Sequence, residues 1–363
     1  MNLNSIQWFD LPILFFVGMS FVLNALVVYL WHIKFYKKLG LKRYQAIQRI
    51  HLNETPRLGG FIFLISISGY VIYCDLTESI YLLKIILLCL TPIIFIGIKE
   101  DLFHNINPAL RLLSLFLVGL LFIYKYTGPL PNLEDIPFIG KLVIIQGGIS
   151  FFYILCMVTI ANGMNLIDGV NGLCGIVAVT SLIALLFLSY MTSDAVMLIT
   201  SSSIILIIIP FMILNYPFGK IFLGDLGSYS LGLIVSMLTI IFFGRHAEIS
   251  PWGAVLILIY PATEIIFSLF RRIGAKASPF KPDREHLHLR LYSLFKLHLV
   301  KNQIANSFVT PSLIMIWLFP FVSISLAYMK PTLIKLCITG FIFLYFLIYL
   351  LASKFYTKIK TFK

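Results

Sequence analysis

Long apolar runs separated by short polar stretches dominate the chain between residues 11 and 352. They fall near 11–31, 58–74, 81–98, 109–124, 143–160, 173–190, 195–214, 229–243, 252–270, 308–328 and 332–352. Most match the roughly 20 residues that a helix needs to cross a bilayer, and 109–124 and 229–243 are the short ones. The pattern predicts an all-α polytopic membrane protein of about ten to eleven transmembrane helices, organised as one integral domain over residues 1–363. Composition agrees: 60% of residues are apolar and the mean hydropathy is +0.96, which excludes a soluble globular surface. The first run lacks a basic leader and a small-residue cleavage site, so it reads as a retained span.

Charge then orients the spans. The connection after Trp31 carries Lys34, Lys37, Lys38, Lys42, Arg43, Arg49 and Arg57 against Glu54. By the positive-inside rule it is cytoplasmic, which places the N-terminus outside. The parity holds along the chain: 271–307 is rich in Lys and Arg, the tail carries Lys354, Lys358, Lys360 and Lys363, and the opposite connections are short or acidic. The C-terminus is therefore expected in the cytoplasm. Orientation accounts for the formal net charge of +13 without a nucleic-acid partner. Five cysteines (74, 89, 156, 174 and 337) lie singly in or beside apolar runs, without metal-ligand spacing, and read as packing residues.

The same parity puts five polar clusters on the cytoplasmic side: NETPRLGG (53–60), GIKEDLFHN (97–105), NGMNLIDGVNGL (162–173), FLGDLGS (222–228) and PDREHLHLRL (282–291). Five clusters from separate connections on one face predict a single site. Asp225, flanked by Gly224 and Gly227 with Ser228 placed to cap the next helix, is a candidate ligand for a hard cation. Glu100 and Asp101 diverge by about 100° on a helix, so one is expected to face the site while the other positions it. Asn162, Asn165 and Asp168 recur at intervals of three and share one edge of a turn; the amides suit a nucleobase or sugar hydroxyl, and Asp168 suits a metal or a ligand donor. His286 and His288, with Arg284 and Arg290, suit phosphate. Glu264 lies inside a span beside Pro261, which is expected to kink or break that helix, and it calls for a polar cavity reaching into the bilayer.

Taken singly, each cluster also admits a plainer reading: a capping Asp, solvated helix-end acids, a small-residue helix contact, or surface histidines. Together they suggest phosphoryl transfer onto a membrane-embedded acceptor. A lipid or anion transporter is the rival class, although transporters concentrate ionisable residues near the bilayer midplane, whereas here only Glu264 is clearly within a span and the other acids crowd the cytoplasmic ends.

In this order the motifs resemble those of the polyprenyl-phosphate N-acetylhexosamine-1-phosphate transferases, over roughly residues 50–292. The resemblance rests on TPRLGG, the acidic pair, NxxNxxDGxNGL, GDLGS, the Arg271–Arg272 pair and SPFKPDREHLH. It implies transfer of a sugar 1-phosphate from a UDP-N-acetyl sugar to undecaprenyl phosphate, with release of UMP and a requirement for Mg²⁺ or Mn²⁺. The implied setting is the cytoplasmic (inner) membrane of a bacterium, among membrane lipids, at the start of cell-envelope glycan synthesis of the lipopolysaccharide type; a homodimer is compatible with it.

By resemblance Asp225 binds the metal, and Asp168 and Asn165 line the nucleotide-metal site, with Asn162 and Asn171 contributing. Asp101, with Glu100, orients or deprotonates the lipid phosphate, and Arg284, His286 and His288 hold the diphosphate. Phe222 packs on uracil, Arg57 adds a phosphate contact, and Glu264 belongs to the substrate cavity. Three positions depart from the family pattern: Glu100 replaces the first Asp, Leu289 replaces a third His, and Asn171 stands where many relatives carry Asp. The HLHL motif resembles the branch acting on smaller sugars such as GlcNAc, FucNAc or QuiNAc, with the muramoyl-pentapeptide reaction as the alternative.

Overall fold

A computed structural model describes residues 11–34, 55–75, 77–134, 140, 147–276, 285–298 and 302–361. Among these residues the secondary structure is helical and contains no strand. In chain order the helices are α1 (Leu11–His32), α2 (Gly59–Tyr73), α3 (Glu78–Cys89), α4 (Thr91–Phe103), α5 (Pro108–Lys125), α6 (Gly148–Ile167), α7 (Leu173–Met191) and α8 (Ala195–Asn215). They continue with α9 (Gly224–Arg245), α10 (Trp252–Ile257), α11 (Ile259–Gly274), α12 (Leu287–His298), α13 (Asn302–Ser312), α14 (Ile314–Trp317), α15 (Phe319–Ala327) and α16 (Pro331–Thr361).

All eleven apolar runs contain helix. Among the described residues seven helices are individually long and apolar enough to cross a membrane, and two bent pairs raise the number to nine. The difference from the expected ten to eleven has local causes. Helix α2 has only 15 residues, and the 252–270 run is interrupted at Leu258, between α10 and α11. That interruption lies upstream of Pro261, which occupies the first turn of α11, where the missing N–H costs nothing. The 81–98 run divides at Leu90 into α3 and α4, which meet at 55°, with Pro92 opening the second helix.

Local chemistry fixes the ends. Thr77 accepts the amide of Ile80 at the start of α3, and Asn107 accepts that of Ala109 before Pro108 opens α5. Asp194 accepts that of Met197 at the start of α8. Asp194 also pairs with Arg245 and His246, tying the ends of α8 and α9 at the pole opposite the polar motifs.

Helix α9 is the axis of the fold. Its residues from Gly224 to Phe243 are all buried, and it packs against α2, α4, α6 and α7. Small residues permit the close approach: a Cβ on Gly60 would collide with the Gly227 backbone, and one on Gly232 would lie 2.7 Å from the Ala161 Cα. Helices α1 and α16 lie outside and expose many of their apolar side chains.

The GDLGS motif is part of this helix, not a loop before it. α9 begins at Gly224, so Asp225 sits in its first turn, and Ser228 lies inside the helix with its hydroxyl on the carbonyls of Gly224 and Asp225. The expected cap at Ser228 is corrected accordingly; the cap comes from another helix.

Candidate active site

That cap is Asp101. Its Oδ1 accepts the amide of Asp225 at 2.8 Å and its Oδ2 that of Leu226 at 2.9 Å, so both oxygens meet the positive end of α9. Gly224 makes room for the contact: it has φ +79°, and a Cβ there would fall 2.5 Å from Asp101 Oδ2. Asp101 lies near the C-terminus of α4, which the bend at Leu90 aims at α9. Its neighbour Glu100 is also buried, but turns away: Oε2 accepts the amide of Ile106 at 2.8 Å and closes the loop between α4 and α5.

Asp225 receives two guanidinium groups. Arg57 Nη2 lies 2.5 Å from Oδ1, and Arg111 Nη1 lies 2.8 Å from Oδ2. The same Arg57 nitrogen is 3.3 Å from Asp101 Oδ1, and Arg111 Nη1 is 3.8 Å from Glu100 Oε1. Burial opposes the charge on Arg57, but Asp225, Asp101 and Asp168 outweigh it and raise its pKa above the ordinary arginine value.

Asp168 stands half-buried at the C-cap of α6. Burial, with Asp225 and Asp101 as negative neighbours, raises its carboxyl well above the usual range against the pull of Arg57. Among the described residues, Glu100, Asp101, Asp168 and Asp225 gather with Arg57 and Arg111, so carboxyl groups outnumber guanidinium groups there. His104, at the end of α4, adds no charge at neutral pH, because burial and Arg57 push its pKa down to about 4.

The remaining motifs join this group unequally. Backbone bonds bind the TPRLGG loop to α9: the amides of Gly59 and Gly60 donate to the carbonyls of Phe222 and Leu223, and the Phe222 amide donates to that of Pro56. These bonds place Arg57 beside Asp225, with Phe222 half-buried at the rim. Asn165 donates to the Ser228 hydroxyl at 2.9 Å, joining α6 to α9. Asn162 and Asn171 are engaged elsewhere. Asn162 bonds the Val158 carbonyl of its own helix, and Asn171, buried, donates to Pro217.

The histidine motif forms an adjoining cluster around Glu264. Its Oε1 lies 3.0 Å from His286 Nδ1 and accepts the Leu287 amide, while Oε2 accepts the Tyr345 hydroxyl at 2.9 Å. The rings of His286 and His288 stack with centroids 5.8 Å apart. His288 Nε2 is so close to Gly169, next to Asp168, that a Cβ there would come within 2.7 Å. Burial lowers the pKa of His288 to about 4, with Glu264 opposing and His286 assisting. Arg284 lies outside the described residues.

A family model described as glycosyl transferase family 4 matches residues 83–243, a stretch containing Glu100, Asp101, Asp168 and Asp225. The undecaprenyl-phosphate alpha-N-acetylglucosaminyl 1-phosphate transferase of Escherichia coli (strain K12) is 28% identical over 261 residues, 69% of each chain. The probable undecaprenyl-phosphate N-acetylglucosaminyl 1-phosphate transferase of Bacillus subtilis (strain 168) is 26% identical over 265 residues, 72% of each. The family model and these relatives support the polyprenyl-phosphate N-acetylhexosamine-1-phosphate transferase family for this chain. The phospho-N-acetylmuramoyl-pentapeptide-transferase of Streptococcus pyogenes serotype M12 (strain MGAS2096) is 29% identical over 295 residues, covering 76% of this chain and 87% of that one. The apolar helices make the chain a multi-pass membrane protein, and the family model and these relatives support a transferase.

Three residues of this transferase site escape a reading of the motifs. Arg111 had one signal, a lone arginine within an apolar run, which is a default marker of function in a membrane. Tyr229, one turn along α9 from Asp225, is an electrostatic neighbour of Arg111. Tyr345 comes from α16, beyond every motif.

Proposed function

We propose that the enzyme transfers N-acetylglucosamine 1-phosphate, or the 1-phosphate of a related N-acetylhexosamine, from its UDP derivative to undecaprenyl phosphate. The observation that carries this reading is the gathering of Asp101, Asp168, Asp225, Arg57 and Arg111 at one pole of the bundle. In the reaction an oxygen of the lipid phosphate attacks the sugar-bearing phosphorus; the bond from that phosphorus to the bridging oxygen breaks, and UMP leaves with that oxygen. Both reactants are anionic, so the main barrier is bringing them together, and preorganised cations lower it. Arg57 and Arg111 supply two such cations from the protein itself.

A divalent cation fits the donor set. No three His, Cys, Asp or Glu side chains among the described residues form a complete metal cage. Mg²⁺ does not need one: it takes one or two carboxylates and completes its octahedron with water and substrate phosphate. Asp225 and Asp168 would hold it, and the excess of carboxyl over guanidinium groups suits a cation there. Bound there, it would supply charge neutralisation at the diphosphate. The protein's own groups do the rest: Asp101 fixes the start of α9, and the Glu264 cluster presents the histidines beside Gly169.

The active pole is assigned to the cytoplasmic side of a bacterial inner membrane, in keeping with the basic connections. In the smaller-sugar assignment Leu289, where a third His would stand in the pentapeptide branch, carries most weight. The muramoyl-pentapeptide reaction is the second reading, favoured by likeness to the Streptococcus pyogenes enzyme. Purified protein, given Mg²⁺, undecaprenyl phosphate and a panel of UDP-sugars, should release UMP from UDP-GlcNAc or a close relative. Turnover of the UDP-muramoyl-pentapeptide alone would select the second reading.

A further inference from the structure

Arg57 makes a contact that a phosphate-binding arginine has no need of. One of its terminal nitrogens bridges two carboxylates, lying 2.5 Å from Asp225 Oδ1 and 3.3 Å from Asp101 Oδ1. Asp168 is a third acidic neighbour. A single positive centre shared by several acidic oxygens is the role a hard cation plays. Building on the divalent-cation reading above, we propose that Arg57 is the protein's internal competitor for the metal. The guanidinium and the divalent cation hold Asp225 alternately, and arrival of the metal releases Arg57 to the substrate diphosphate.

Charge and mobility both support the exchange. Arg111 already occupies the other Asp225 oxygen. A dication beside Asp225 with both arginines in place would meet two positive groups within a few ångströms. Of the two, Arg111 rises from the first turns of a long helix, α5, whereas Arg57 springs from residues 55–58, which have no regular structure. The loop backbone is held by the bonds of Gly59 and Gly60 to α9 and by Thr55 on the Gly219 carbonyl, so the exchange requires only the side chain to swing. Once the metal neutralises the acids, Arg57 is drawn to the incoming diphosphate, and nucleotide and metal therefore strengthen each other's binding.

The test is direct titration of Mn²⁺ into the full-length protein in lipid nanodiscs, read by electron paramagnetic resonance without nucleotide. Arg57→Gln should bind Mn²⁺ at least tenfold more tightly than the native protein, and Arg57→Lys, which keeps the charge with a shorter reach, a few-fold more tightly. UDP-GlcNAc should tighten Mn²⁺ binding in the native protein and much less in Arg57→Gln. Equal or weaker Mn²⁺ binding in a folded Arg57→Gln or Arg57→Lys protein overturns the exchange. The functional reading is scored separately by UMP release from native protein. If no UDP-sugar is turned over but Arg57→Gln tightens Mn²⁺, that reading falls and the exchange stands; the opposite pair of results removes the exchange alone.

Discussion

The carboxylate of Asp101 accepts the backbone amide of Asp225 at 2.8 Å, so one acid of the site holds the other in position. Asn in place of Asp101 keeps one acceptor and turns an NH₂ group toward a backbone N–H. Asp101→Asn should therefore lower both turnover, by at least 100-fold, and stability, by about 1–3 kcal/mol, the usual cost of an unpaired buried group. Asp225→Asn should abolish turnover with a smaller change in melting temperature. Thermal unfolding in detergent beside a UMP-release assay separates the two, and an unshifted melting temperature for Asp101→Asn would disprove the cap.

Gly224 is where a single methyl group should disturb the acids of the site directly. Its φ of +79° disfavours any side chain, and the new Cβ would press on the Asp101 carboxylate at 2.5 Å. Gly224→Ala should cost about 1–3 kcal/mol in backbone strain and most of the activity. Gly18→Ala, with nothing within 4 Å of the new Cβ, is the control and should match the native protein in both measurements.

Tyr345 tests whether the final helix takes part in the site. Tyr345→Phe removes the donor to Glu264 Oε2 while keeping the ring, so the carboxylate is freer to turn from His286. The expected outcome is a KM for the UDP-sugar raised about tenfold with a smaller change in kcat. A lower kcat at constant KM would assign the effect elsewhere.

Acid should weaken the protein through His288. Its pKa falls from 6.5 to about 4 on folding, so between those values the unfolded chain binds the proton and the folded one does not. Stability from this residue is complete above pH 6.5 and is lost as pH falls toward 4. The loss is at most roughly 3 kcal/mol, from the 1.36 kcal/mol carried by each pKa unit. His288→Asn should flatten that part of the stability–pH curve; an identical slope would mean that His288 is protonated in the fold.

The sequence announced the helices because membrane spans are written in continuous apolar runs. It also announced Asp168, Asp225 and the acidic pair, whose polarity stands out beside hydrocarbon. It did not announce Asp101 as the cap of α9, since a contact across 124 positions leaves no trace in local spacing. Arg111 was masked by the leucines around it. Asn171 enters the candidate site only through the family resemblance, and the bond from its amide to the Pro217 carbonyl is legible only in the tertiary structure. The bend at Leu90 was equally hidden, because an apolar run reads the same whether its helix is straight or bent at 55°.

The complete burial of α9 bears on how lipids can influence catalysis. Helices α1 and α16 expose apolar side chains whereas the helix that bears Asp225 is buried, so a thicker or thinner bilayer should be met by tilting of the outer helices. The reaction centre is thereby insulated from the physical state of the membrane that supplies its acceptor. Across acyl-chain lengths, lipid composition should alter how readily the acceptor docks while leaving the bond-making step at one speed.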